Sequence, residues 1–438
     1  MRNLYPFAVY LAKGLGILSI LYMSKIIDPE DLGFYGYFTL IIQVLSYLTF
    51  GIQFQLINKG SIEEKNLPEL ISQSISLQIL IYLISVLLIL FCIEFKLFTL
   101  PTKFSDFGLL ISILSAGLIS NLNLTLVKIG RLKHSYLPLI IENLSYPLGL
   151  SLWLLFYREI DFEIFVNVYL ISKTVPLIIL YYAHSKYFKI DLILKLDRYS
   201  EIFQSGIKLL FYNSLFTLFL VLIQIQSSTS LDVEGFGKFK IAFLISTIPS
   251  LAISGVEQIL YPTFYNKLYY ESEKIEGRLQ LGYLLILFAT ISLIIPISIF
   301  TNEYLVEIQL ETIYLLLIMQ FAYNKCYVRK LKLVTKKKEL YLALVFGILL
   351  IPLLLIPFFY DDIKINQIIW LAIILLFLFD LVISKKSKIP WALTELVITL
   401  ILLFSVLIGG LFHLIPLIIS IFLVWRNRKL IKSLSLIN

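Results

Sequence analysis

The sequence predicts an all-α polytopic membrane protein of about fourteen transmembrane helices. Three observations predict it. First, 59% of the 438 residues are apolar, the mean hydropathy is +0.89 and only 15% are charged, more apolar surface than a soluble chain of this size could bury. Second, the apolar residues come in blocks of about twenty, the length that crosses a bilayer core. Third, the basic residues alternate between connections in the manner of a positive-inside topology. The runs are continuously apolar rather than alternating, which excludes a β-barrel. A net charge of +8 invites a nucleic-acid reading, but the lysines and arginines lie in short connections between spans, so topology accounts for them and no nucleic-acid partner is expected. Cys92 and Cys326 stand in distant spans, and no disulfide framework or metal site follows from them.

The spans are predicted at 5–25, 34–57, 70–93, 107–127, 137–156, 163–183, 207–227, 236–262, 279–300, 310–328, 340–359, 367–384, 392–409 and 412–425. The first contains Lys13 and is followed by no small-residue cleavage site, so it reads as a retained span rather than a signal peptide. With the N-terminus inside, the inner segments hold 28 Lys and Arg and the outer segments seven (Lys25, Lys96, Lys103, Arg158, Lys238, Lys240, Lys364). A missed or invented span early in the chain would invert the later loops, so this bias supports the even count and a cytoplasmic C-terminus. The outer connections are short and acidic. The longest polar linker, 184–205, is cytoplasmic and falls between the sixth and seventh spans.

That linker separates two copies of one motif. Asp28-Pro29-Glu30-Asp31-Leu32-Gly33-Phe34-Tyr35 reads as an acidic turn before the second span, and Asp232-Val233-Glu234-Gly235-Phe236-Gly237-Lys238-Phe239 follows at a constant offset of 204 residues. The register still holds where Ser46 falls on Ser250 and Gly51 on Gly255. Two halves of one build are implied, both entered from an inside N-terminus and therefore parallel, with a pseudo-twofold axis along the membrane normal and a cavity between two lobes. The expected organisation is an N-terminal six-helix lobe at 1–185, a linker at 186–205, a C-terminal six-helix lobe at 206–384, and a two-helix hairpin with a basic tail at 385–438. The acids of the motif are expected at helix starts, favoured by the positive end of the helix dipole, and its glycines at a tight turn with close packing. Prolines within spans (Pro147, Pro176, Pro249, Pro296, Pro352, Pro357, Pro416) predict bends of the ordinary membrane-helix kind.

Ionisable residues within spans carry the functional signal, because a charge at membrane depth costs about 2.5–3.5 kcal/mol on insertion scales. Lys13 and Lys173 fall near the middle of spans one and six, Glu142 lies inside span five, and Glu257 lies in span eight beside Gln258. Lys173 with Glu142 is one candidate for a buried ion pair; a polar wall on a solvated cavity is the other reading of this set, and the one that fits Lys13. Glu142 and Glu257 are candidates for ion coupling or ion pairing. Asp380 and Glu395 are expected near enough to the inner face to reach water. Neutral polar residues accompany them: Asn121, Asn123 and Thr125 in span four, Asn213, Gln224 and Gln226 in span seven, Gln43, Gln53 and Gln55 in span two. Most are expected to tie helices together. His134, His184 and His413 are isolated, and no nucleophile elbow, phosphate loop or metal spacing is visible. The sequence therefore predicts a non-enzyme with no cofactor and no ATP-binding domain.

Lys13-Gly14 in the first span, followed by Ile27-Asp28-Pro29-Glu30-Asp31-Leu32-Gly33-Phe34-Tyr35-Gly36, resembles the Wzx-type flippases of O-antigen and other polysaccharide repeat units, within the superfamily that also holds the multidrug exporters called MATE and the lipid II flippases. The repeat of the acidic motif before span eight and the basic Arg131-Leu132-Lys133 before span five fit the same group, and the resemblance covers residues 1–384. It implies a two-lobed transporter of the bacterial cytoplasmic (inner) membrane, serving polysaccharide or lipopolysaccharide biosynthesis. By alternating access it would move an undecaprenyl-pyrophosphate-linked oligosaccharide from the inner to the outer leaflet, with H+ or Na+ coupling and other polysaccharide assembly proteins as possible partners. It further implies Lys13 as the attractor of the pyrophosphate and Lys173 as a second cation, with Asn121 and Asn213 on the cavity wall. An ion-coupled multidrug exporter of the same fold is the alternative, and a membrane glycan polymerase the third. Twelve spans are usual for the polysaccharide branch, so the last hairpin is an addition to it.

Overall fold

The computed structural model describes residues 4–24, 26–49, 67–94, 107–132, 137–157, 161–185, 200, 204, 207, 217–248, 250, 310–334, 339–359 and 364–387. All regular structure among the described residues is helical. In chain order the helices are α1 (Leu4–Met23), α2 (Pro29–Leu45) with a 3₁₀ turn at Ser46–Thr49, α3 (Leu67–Glu94), α4 (Phe107–Leu132), α5 (Leu137–Phe156), α6 (Phe162–His184), α7 (Val233–Thr247), α8 (Leu310–Val334), α9 (Glu339–Phe359) and α10 (Ile365–Ser387). Residues 217–230 are also helical. Most predicted spans coincide with these helices to within a few residues, as expected when a run of apolar side chains leaves the backbone no partner but itself. Three windows among the described residues, Phe107–Val127, Phe162–Ala183 and Ile365–Ile383, are long and apolar enough to cross a membrane, and four shorter helices are also apolar. Spans nine, thirteen and fourteen lie outside the described residues.

The acidic motif is helix, not turn. α2 begins at Pro29, whose fixed φ suits the first helical position, with Asp28 as its N-cap and Glu30 and Asp31 in its first turn. α7 likewise opens with Glu234 in its first turn. The acids therefore sit where the unpaired N–H groups and the helix dipole favour them. Gly33 and Gly237, however, lie inside helices, so the tight turn expected of them does not exist; what they provide is close packing.

The chain divides into two compact units, residues 1–221 with 233–237, and residues 222–232 with 238–438. In the first unit α1 packs chiefly on α5, α4 on α6, and α5 on α6. An aromatic cluster joins α2 to α5 and α6: Tyr35 meets Phe165 edge-on at 4.5 Å between centroids, Phe38 meets Tyr169 at 5.2 Å, and Tyr146 meets Tyr169 at 5.0 Å. Such edge-to-face pairs add to the area that each ring buries. The 3₁₀ turn and α3 pack on α4, where Leu45, Tyr82, Leu110 and Leu114 form a buried cluster and the Tyr82 hydroxyl donates to the Leu114 carbonyl. α6 is capped by Asp161, whose carboxylate accepts from the Ile164 amide at 2.7 Å. Pro147 and Pro176 fall inside α5 and α6. The first turn of α7 belongs to this unit, and there the two copies of the motif meet. A Cβ built on Gly33 overlaps the Val233 carbonyl oxygen, and one built on Gly237 falls 2.6 Å from the Gly33 amide nitrogen. Beside them Tyr37 and Phe236 pack at 4.8 Å.

In the second unit α8 packs on α10 and α9 on both. Phe346 meets Phe379 at 4.6 Å, and the buried Gln226 donates to the Leu353 carbonyl at 3.1 Å. The unit repeats the plan of the first. From Phe107 to Leu310, Leu137 to Glu339 and Phe162 to Ile365, successive helix starts are displaced by 203, 202 and 203 residues. The ties repeat as well: Asn123 on α4 donates to the Lys173 carbonyl on α6, and Cys326 on α8 donates to the Leu376 carbonyl on α10, each pair 50 residues apart.

Candidate functional site

Lys13 stands near the middle of α1, half-buried, one residue before Gly14, around whose Cβ position no atom lies within 4 Å. α1 is held there by Ser19 and Ser151 of α5, whose hydroxyls are 2.8 Å apart, and by the approach of Gly16 to Pro147, 3.7 Å from an added Cβ.

A second charge cluster lies between α5 and α6. Lys173 Nζ is 2.7 Å from Glu142 Oε1 and 5.8 Å from the centre of the Tyr169 ring. Lys173 is buried, while the Glu142 side chain is 20% exposed. The ion-pair geometry considered for these two residues is thus present: the ammonium spends its charge on Glu142, and the carboxylate keeps a path to its surroundings. Asn121 and Thr125 are buried on α4. Asn121 donates to the Leu45 carbonyl at 3.2 Å and Thr125 to Gln78 at 2.7 Å, ties between helices of the kind that hold membrane bundles together. Asn213 and Glu257 lie outside the described residues.

The second unit holds a further ion pair, Lys325 Nζ to Asp380 Oδ2 at 2.8 Å, joining α8 to α10. Both expectations for these residues fail. Asp380, expected to reach water, is buried, and Lys325, counted with the inner segments, is buried inside α8. The charge tally set Lys325 with the inner segments although it falls within the predicted span 310–328, and only the α8–α10 seam shows its partner. Lys238 and Lys240, counted with an outer segment, lie within α7. Lys240 is half-buried and donates from Nζ to Oε1 of Gln224, which is buried in the helical residues 217–230. The sequence signal that could have found Lys240 was its place seven residues after Val233, in an apolar run; the charge count absorbed it instead. Among the described residues no group of three or more His, Cys, Asp or Glu could hold a metal ion.

No family model matches the chain, and no curated protein matches it. Solved structures do. The chain is similar to a lipid II flippase MurJ in an inward closed conformation, with a TM-score of 0.67 at 15% identity over 98% of this chain and all of that one. It is similar to a MATE family multidrug resistance transporter of the MOP superfamily in an outward-facing conformation, with a TM-score of 0.56 at 14% identity over 88% of this chain and 94% of that one. It is also similar to a MOP superfamily transporter from Pyrococcus furiosus, with a TM-score of 0.55 at 13% identity, covering 88% and 95%. At such identities the likeness is one of fold: the chain has the fold of MOP superfamily transporters, a multi-pass membrane architecture, and these neighbours are transporters and flippases rather than enzymes.

Proposed function

We propose that the chain is a flippase for undecaprenyl-pyrophosphate-linked oligosaccharide repeat units, of the O-antigen or a related polysaccharide, working by alternating access in the bacterial cytoplasmic membrane. The observation that carries this reading is a lysine, Lys13, half-buried at mid-helix in a chain that shares its fold with a lipid II flippase over 98% of its length. An ammonium is a compact point charge suited to a phosphate. Lys173 is the weaker candidate for that role, since Glu142 already neutralises it. Asn121 and Asn213 remain proposed wall residues, and Glu142 and Glu257 proposed coupling residues for H+ or Na+. Replacing Lys13 by Ala is expected to abolish surface display of the glycan while leaving the amount of protein in the membrane unchanged. Glycan export at the wild-type level in that variant overturns the proposed site.

An ion-coupled multidrug exporter is the second reading, favoured by the likeness to MATE transporters and by the partial exposure of Glu142. Drug resistance conferred by the wild-type chain and lost in Glu142→Gln or Glu257→Gln, with glycan export unaffected by Lys13→Ala, would decide for it.

A further inference from the structure

The lysines buried or half-buried in the described helices differ in what neutralises them. Lys173 and Lys325 each face a carboxylate, at 2.7 and 2.8 Å. Lys240 does not. Its partner is the neutral side-chain amide of Gln224, and no carboxylate lies within ion-pair distance of it among the described residues. Its own helix supplies no acid either: the residues three and four positions away are Phe236, Gly237, Phe243 and Leu244, the positions that share its face. Gln224 is 2% exposed, so the amide that receives the ammonium has itself been taken out of solvent to do so. A cation placed among apolar groups with only a neutral acceptor is costly to keep. An ammonium carries three N–H donors, of which Gln224 takes one.

We infer that Lys240, positioned by Gln224, is a binding subsite for a phosphate-type oxyanion in the second unit. The two remaining N–H groups and the unmatched charge meet two oxygens of one phosphate group. The anion supplies the counter-charge that Glu142 and Asp380 supply elsewhere in the chain. Gln224 fixes the side-chain rotamer, so that the charge is aimed before the ligand arrives. The inference rests on the flippase reading for the source of the phosphate, the pyrophosphate of a polyprenyl lipid; free inorganic phosphates have the same chemistry, and the test separates the two.

The full-length protein in lipid nanodiscs is titrated with inorganic pyrophosphate, and in parallel with a polyprenyl pyrophosphate incorporated in the disc, and the shift of the thermal unfolding midpoint is followed. The wild type is expected to bind through Lys240. Lys240→Met is expected to weaken binding by roughly ten-fold or more, the size of a lost charge-assisted contact, and Lys240→Arg to keep most of it. Wild-type titration curves in Lys240→Met overturn the subsite. If Lys240→Met does not fold, Gln224→Leu is read instead: a several-fold weaker titration supports the subsite and an unchanged one overturns it. Binding of inorganic pyrophosphate through Lys240 without binding of the lipid sustains the subsite and removes the flippase reading. Binding of the lipid that is indifferent to Lys240 does the reverse. Failure of the wild type to bind either compound overturns the subsite.

Discussion

A buried charge in this protein is defined by its partner. Lys325 and Asp380 are 2.8 Å apart and both deeply buried, whereas Glu142, opposite Lys173, keeps a fifth of its side chain exposed. Removing one partner of a buried pair strands the other charge, which costs about 3–5 kcal/mol, while replacing both by apolar groups of similar size is close to neutral. Lys325→Met is therefore expected to lower the unfolding midpoint in detergent strongly, and Lys325→Met with Asp380→Leu to recover most of the loss. Lys173→Met is expected to cost less, about 1–3 kcal/mol, because Glu142 can still be solvated. A double variant at 325 and 380 no more stable than the single one would show that the pair does not act as a unit. The existence of buried charges was legible in the sequence, since Lys13, Lys173 and Glu142 interrupt apolar runs. Their pairing was legible only in part: Lys173 and Glu142 sit in consecutive spans at similar depth, but nothing local links Lys325 to Asp380, 55 positions later.

At the scale of the helix, the same amino acid has opposite roles depending on what it faces. Gly33 and Gly237 are pressed against backbone, with no flexible side chain to yield. Gly347, inside α9, has no atom within 4 Å of an added Cβ. Gly33→Ala and Gly237→Ala are expected to destabilise the protein by about 1–3 kcal/mol through overpacking. Gly347→Ala is expected to stabilise it by up to about 1 kcal/mol, the helix-propensity difference. Thermal unfolding of the three variants checks this, and a stable Gly33→Ala protein would mean that α2 and the first turn of α7 need not touch. The sequence marked both glycines of the motif through their repeat but misread their setting. The run Asp-Pro-Glu-Asp-Leu-Gly resembles a turn until Pro29 is taken as the first residue of a helix, and the contact that requires glycine comes from a segment two hundred residues away.

Across the whole molecule, the duplication that the motif suggested extends to the helix plan, with α4–α6 and α8–α10 stepping in parallel and tied by side-chain bonds at matching positions. From the positive-inside bias we propose an orientation, with both termini on the cytoplasmic side. A fluorescent protein fused after Asn438 is expected to fluoresce in cells, and alkaline phosphatase fused there to be inactive; the opposite pattern would mean an odd number of crossings. By itself the sequence determined the membrane class, the positions of most spans and the spacing of the repeat. Each is a sum over neighbouring residues: a helix in a bilayer satisfies its own backbone, so hydrophobicity along the chain is enough to locate it. The tertiary structure alone decided which charges neutralise one another, why glycine stands at Gly33 and Gly237, and that Lys240 belongs to a helix beside Gln224. Those facts depend on the rotation and depth of one helix against another, and a single side-chain contact is set by both helices at once, which no local pattern encodes.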